Sequence, residues 1–136
     1  MTLGALGARA QTTPPVLPNK IWSPPNPAET RNWLNAGNWT PGGIPTNTDD
    51  VGIGQVGPGA AQITFGQTAV ARNVTLGLTT EAGYTPGELD VDGGTLTVTP
   101  LPGTGSSVLQ VLSGSTLLIL DGGFVNLGGL AVDNFG

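Results

Sequence analysis

Residues 87–98 read Gly87-Glu88-Leu89-Asp90-Val91-Asp92-Gly93-Gly94-Thr95-Leu96-Thr97-Val98, two alternating segments joined by Asp-Gly-Gly. In each extended segment the apolar residues share one face, Leu89 and Val91 in the first and Leu96 and Val98 in the second, while Glu88, Asp90 and Asp92, and Thr95 and Thr97, take the other. Period-2 alternation of this kind marks a half-buried strand. The joint recurs as Asp121-Gly122-Gly123, 29 residues further on. It again lies between apolar segments, Leu118-Ile119-Leu120 before it and Phe124-Val125-Asn126-Leu127 after it. Self-similarity at a spacing of roughly 20–50 residues is the mark of a repeat architecture.

The pattern extends in both directions. Val51-Gly52-Ile53, Gln62-Ile63-Thr64-Phe65, Asn73-Val74-Thr75-Leu76, Val108–Leu112, Ser115–Leu120 and Leu130–Asp133 are all short apolar or alternating segments that end at Gly, Asp-Gly or Asn. No stretch carries the i, i+3, i+4 spacing of a useful helix. With Leu89, Leu96, Leu117, Val125 and Val132 taken as inward positions, the successive gaps are 7, 21, 8 and 7 residues. The long gap holds the Val108–Leu112 segment and a Pro- and Gly-rich excursion over 100–105. Such tight spacing leaves turns of only a few residues, which suits a parallel β-helix with glycine at left-handed corners. A β-sandwich is the alternative, and it calls for longer strands at about 8–12-residue spacing. The sequence predicts an all-β chain, a β-solenoid of short strands preceded by an extended Pro-rich segment.

Composition agrees and narrows the function. Of 136 residues, 23 are Gly and 12 are Pro, only 10% are charged, and the net charge is −5. Average usage is nearer ~7% Gly, ~5% Pro and ~25% charged. A mean hydropathy of +0.09 is too high for a charged disordered tail, and the glycine excludes a helical bundle or coiled coil. There is no Cys and no His, so disulfides, thiolate metal sites, the Ser-His-Asp triad and most zinc sites are absent. The four cations, Arg9, Lys20, Arg31 and Arg72, are scattered, which argues against a nucleic-acid partner. No apolar run approaches the ~18–20 residues of a transmembrane helix.

The chain divides into four stretches. Residues 1–10 end in Ala8-Arg9-Ala10, an A-x-A-like cleavage pattern after small apolar residues, and read as the remnant of a secretory signal peptide. An ordinary N-terminus is the plain alternative. Residues 11–32, with Pro14-Pro15, Pro18, Pro24-Pro25 and Pro27, read as an extended linker. Residues 33–50 form a Trp-containing cap, and 51–136 the solenoid coils, with the C-terminal side expected to be truncated mid-pattern.

The 33–53 stretch is the most specific: Asn38-Trp39-Thr40-Pro41-Gly42-Gly43-Ile44-Pro45 leads to Asp49-Asp50-Val51-Gly52-Ile53. It resembles the leading segment of secreted bacterial proteins with autotransporter-type β-strand repeats, and Gly87–Val98 is similar to their repeat unit. A weaker similarity links it to the extracellular G8 domain. The resemblance implies a right-handed parallel β-helix on an exported, non-enzymatic surface protein. Its location would be extracellular or on the cell surface, with polysaccharide or a host or cell-surface matrix as partner.

Few residues offer chemistry, so no catalytic residue, cofactor or metal ligand is assigned. Trp22, Trp33 and Trp39 are candidates for stacking on sugar rings, or else they plug the end of the core. Asp49-Asp50 reads as a calcium or acid site, or as a turn that caps the first strand. Asp90 and Asp92 share a face and read as a solvated strand surface, with calcium or glycosidase roles as the sharper alternatives. Asn38-Trp39-Thr40 and Asn73-Val74-Thr75 match the glycosylation acceptor pattern. Three functions follow: a structural or adhesive surface solenoid, a carbohydrate-binding module, or the N-terminal piece of a β-helical polysaccharide-degrading enzyme.

Overall fold

The structure, a computed structural model, describes residues 18–26, 31–80, 83–99, 109–127 and 132–134. Its strands are β1 (Lys20–Trp22), β2 (Trp39–Thr40), β3 (Asp50–Ile53), β4 (Gly59–Thr64), β5 (Thr68–Ala71), β6 (Asn73–Leu76) and β7 (Leu78–Thr80). They continue as β8 (Gly83–Thr85), β9 (Gly87–Asp92), β10 (Thr95–Val98), β11 (Leu109–Val111), β12 (Thr116–Leu120), β13 (Phe124–Asn126) and β14 (Val132–Asn134). They build a β-solenoid of about three turns with parallel sheets. The sandwich alternative fails because pairing joins strands one turn apart rather than sequence neighbours.

Three sheets form the walls. Sheet A runs β14-β11-β6-β3-β1-β2, sheet B runs β12-β9-β4, and sheet C runs β13-β10-β5. Every pairing within them is parallel except β1 with β2. The first turn is therefore β3-β4-β5, the second β6-β9-β10 and the third β11-β12-β13. Asp50 lies beside Asn73, 23 residues on, and Leu109 beside Val132 at the same spacing. Val74 and Leu109 are 35 apart. Part of that surplus is the antiparallel hairpin of β7 and β8, which leaves the wall between β6 and β9.

Register stacks apolar side chains over one another inside the tube. Leu89 sits between Ala61 and Leu117, Leu96 between Ala69 and Val125, and Val74 between Val51 and Leu109. Leu89, Leu96, Val74 and Leu109 have no measurable exposure. Burying each such side chain stabilises the fold by about 1.5–3 kcal/mol. Leu117 and Val125, the inward residues of the third turn, are only partly buried, and the side chain of Val132 lies outside the described residues.

The corner between sheets B and C explains the repeated Asp-Gly-Gly. It falls at Gly66, Gly93 and Gly122 in the three turns, with φ of +79°, +73° and +82°. An L-residue there meets the left-handed penalty that glycine avoids. The second glycine serves closeness rather than φ: a Cβ on Gly94 would stand 2.6 Å from both the Thr64 carbonyl oxygen and Ile63 Cγ2. The 29-residue recurrence is thus one turn of the solenoid measured at one corner.

Two expectations need correction. The stretch 11–32 is not linker throughout: Lys20–Trp22 is a strand of sheet A, with Lys20 beside Val51 and Ile21 beside Gly52. The alternation of Lys20, Ile21 and Trp22 is too short to stand out among the flanking prolines. The segment β5, Thr68-Ala69-Val70-Ala71, was not expected as a strand either, because its inward residues are alanines that leave no hydropathy contrast. Residues 1–17, including the expected signal-peptide remnant, lie outside the described residues.

Candidate functional site

The N-terminal segment closes one end of the tube. Continuing the β1–β3 register places Trp22 beside Ile53, on the inward phase. Trp33 enters through the Asn32–Gln62 bridge, which lays residues 31–33 along β4. Trp39 opens β2, after a 3-10 turn over Ala36–Asn38 whose Asn35 side chain accepts from the Gly37 amide. The Trp39 ring centroid is 4.9 Å from those of both Trp22 and Trp33, at interplanar angles of 76° and 67°. Trp39 Nε1 donates to the Trp33 carbonyl at 2.8 Å. Edge-to-face rings of this kind add about 0.5–1.5 kcal/mol per pair beyond area burial. Lys20 follows the same inward phase, and its Nζ donates to the Pro41 carbonyl at 3.1 Å and to that of Gly42 at 3.4 Å.

The sugar-stacking candidates are corrected by this geometry. Trp22, Trp33 and Trp39 are 2%, 0% and 3% exposed, so no indole face is open to a ring. The three side chains plug the core. The first turn of a solenoid leaves its apolar residues open at one end, and the three large, mutually packed indoles cover them.

Asp49, Asp50, Glu88 and Asp90 are each held by structural hydrogen bonds. Asp49 accepts from the Thr46 amide at 2.8 Å and from its hydroxyl at 3.1 Å, closing the turn before β3. Asp50, its neighbour, accepts from Arg72 Nε at 2.8 Å, Arg72 Nη2 at 2.5 Å and Asn73 Nδ2 at 2.7 Å. The Arg72 hydrogen bond holds the Asp50 carboxyl below its ordinary value against the upward push of burial, and Asn73 assists. Arg72 is raised in turn by the same bond.

Asp90 departs from the expectation of a solvated strand face. It is 6% exposed, because Arg31 reaches across sheet B and donates Nη2 to Asp90 at 2.7 Å and to Glu88 at 2.6 Å. Asp92, two residues on, is half-buried on the same outer face. Among the described residues no three His, Cys, Asp or Glu side chains converge on a metal position. The two glycosylation patterns are also closed, since Asn38 and Asn73 are 0% and 6% exposed.

A shallow groove of about 300 Å³ runs along the corner between sheets A and B. Pro58, Gly59, Pro86, Gly87, Glu88 and Thr116 are among its lining residues, which come from all three turns. Its polar groups are a carboxylate already bonded to Arg31 and one hydroxyl. This lining lacks the convergent donors and acceptors of a specific pocket.

Sequence reasoning missed the Arg31 strap, because Arg31 and its partners are 57 and 59 residues apart. The Asp50–Arg72–Asn73 cluster carried a usable signal: 22 and 23 residues is the length of one turn, so these side chains stack once the period is known. No helix of the described residues is long and apolar enough to cross a membrane. No protein-family model, curated protein or solved structure matches this chain.

Proposed function

We propose that this chain is a non-enzymatic structural element: a β-solenoid spacer of an exported cell-surface or extracellular protein. One observation carries the reading. All three cations among the described residues are consumed in structural bonds: Arg31 ties the cap to the second turn, Arg72 ties two turns together, and Lys20 ties the cap to itself. The carboxylates Asp50, Glu88 and Asp90 are the partners of the two arginines, and backbone carbonyls are those of Lys20. Side chains that supply proton transfer or ligand charge elsewhere serve here as rivets, while the backbone ladders satisfy one another turn by turn. Export rests on the Ala8-Arg9-Ala10 pattern and on the resemblance to autotransporter-type repeats, and adhesion to matrix or polysaccharide is part of the same reading.

The test combines location with rigidity. Antibody against the folded chain should label intact, unpermeabilised cells of the natural source. Trypsin should leave Arg31 and Arg72 uncut under native conditions, since cleavage there requires the turns to part. Labelling only after permeabilisation refutes export, and rapid cutting at Arg72 refutes the spacer.

A further inference from the structure

Among the described residues the most exposed large apolar side chain is Phe65, 88% exposed on the corner between sheets B and C. The sheet B registers end at Thr64, Asp92 and Leu120, so Phe65, Gly93 and Asp121 open the corner in three successive turns. Strands of neighbouring turns stand about 4.8 Å apart, which sets Phe65 and Asp121 roughly 10 Å from each other with only a glycine between. The middle corner is also the shortest. Two residues separate Asp92 from Thr95, whereas three separate Thr64 from Thr68 and Leu120 from Phe124. A shorter path between the same two sheets recesses Gly93 below its neighbours. A Cβ there would meet Phe65 Cβ and Cδ2 at 3.2 Å, so the phenyl group leans over bare backbone. The corner thus forms a notch with an aromatic wall, a glycine floor and the exposed Asp121 opposite. It lies on the flank of the tube, so turns stacked along the axis lengthen the corner without roofing it.

Charge decides what fits the notch. Lys20, Arg31 and Arg72 are held in internal bonds, whereas the carboxylates of Asp121 and the adjoining Asp92 hold no hydrogen bond or ion pair among the described residues. The Gly93 amide already donates to the Leu120 carbonyl at 2.9 Å, so the floor offers no donor to an anion. An aromatic face beside a carboxylate suits a guanidinium, whose plane stacks on the ring while its fork meets both carboxylate oxygens. The net charge of −5 adds attraction at longer range.

We propose that this corner is a docking site for an arginine side chain carried on an extended basic segment of a partner protein. The guanidinium lies between Phe65 and Asp121, and its aliphatic stem runs over Gly93. Glycine serves position 93 twice, through its φ of +73° and by leaving the notch empty.

Two-dimensional NMR of the isotopically labelled full chain, titrated with a short peptide of alternating glycine and arginine, tests this. Amide shifts should concentrate at Phe65, Gly93 and Asp121 and fade as salt is raised. The same peptide with lysine should bind more weakly, and with uncharged citrulline it should not bind. Phe65→Leu, which keeps an apolar side chain but removes the ring, should weaken binding about twofold to fivefold. Asp121→Asn should weaken it by a similar factor. Both positions are exposed, so the remaining amide spectrum of each variant should match the wild type. Five outcomes would overturn the proposal: no shifts with the arginine peptide, shifts spread evenly over the surface, lysine or citrulline peptides binding equally well, binding indifferent to Phe65→Leu, or a corner that answers to a neutral oligosaccharide instead.

Discussion

Leu89→Ala tests the inward register where it is best determined. Leu89 has no exposure and stands in the middle of the sheet B stack, with Ala61 on one side and Leu117 on the other. Ala61 is too small to reach into the space vacated, and the parallel ladder fixes the backbones on both sides, so the cavity stays open. The upper half of the range for buried leucine truncation applies, about 3–5 kcal/mol. A chain of this size has roughly 5–15 kcal/mol in total, so the variant loses a large fraction of its stability. At a few degrees per kcal/mol, the midpoint of thermal unfolding should fall by about 10–20 °C. Leu120→Ala, the same truncation on the outer face of the next strand and 44% exposed, should cost under about 1 kcal/mol. Urea titration followed by far-ultraviolet circular dichroism, in dilute solution, measures both. A Leu89→Ala cost below about 1 kcal/mol, or equal costs for the two variants, would refute the inward register.

Other perturbations follow from the same structure. Gly94→Ala should destabilise by about 1–3 kcal/mol through overpacking against Thr64 and Ile63, whereas Gly122→Ala, with open space around its Cβ, should lose only the roughly 1 kcal/mol of a left-handed φ; urea midpoints compare them. Trp33→Ala should cost about 3–5 kcal/mol, and native tryptophan emission should be blue-shifted and poorly quenched by acrylamide, with no change on adding oligosaccharides. For pH, the folded carboxyl of Asp50 titrates below its unfolded value, so its contribution is full above the unfolded carboxylate range near ~4 and is lost as pH falls through the folded value. Asp50→Asn should therefore be less stable than wild type at pH 7, and the difference should shrink in acid; a gap that stays constant to low pH contradicts the Arg72 pairing.

The sequence made the wall legible and hid the ends. Leu89-Asp90-Val91 and Thr95-Leu96-Thr97-Val98 alternate because one face of each strand is inside the tube, and Asp-Gly-Gly recurs because each turn needs a left-handed corner at one place. Thr68-Ala69-Val70-Ala71 stands out poorly because its inward residues, Ala69 and Ala71, contrast little in hydropathy with the outward Val70. The Arg31 strap, which buries Asp90, is a contact between a proline-rich segment and the second turn, and no local period encodes it. The tryptophans were visible, but a buried indole and a stacking indole are spelled alike. Only the phase of β1 on β3 and the Asn32–Gln62 bridge show that they point inward.

The central claim is that strands one turn apart lie parallel and in register. The chain has no cysteine, so an engineered pair reports it without competition. Thr68 on β5 and Thr95 on β10 are register partners on the outer face of sheet C, 27 residues apart in sequence. Parallel neighbours about 4.8 Å apart fall within the Cα separations that a disulfide accepts. Mild oxidation of the Thr68→Cys/Thr95→Cys double variant should form an intramolecular disulfide in nearly all molecules and raise the unfolding midpoint, while Thr68→Cys/Thr97→Cys should cross-link poorly. Equal cross-linking of the two variants, or preference for Thr68→Cys/Thr97→Cys, would contradict the solenoid.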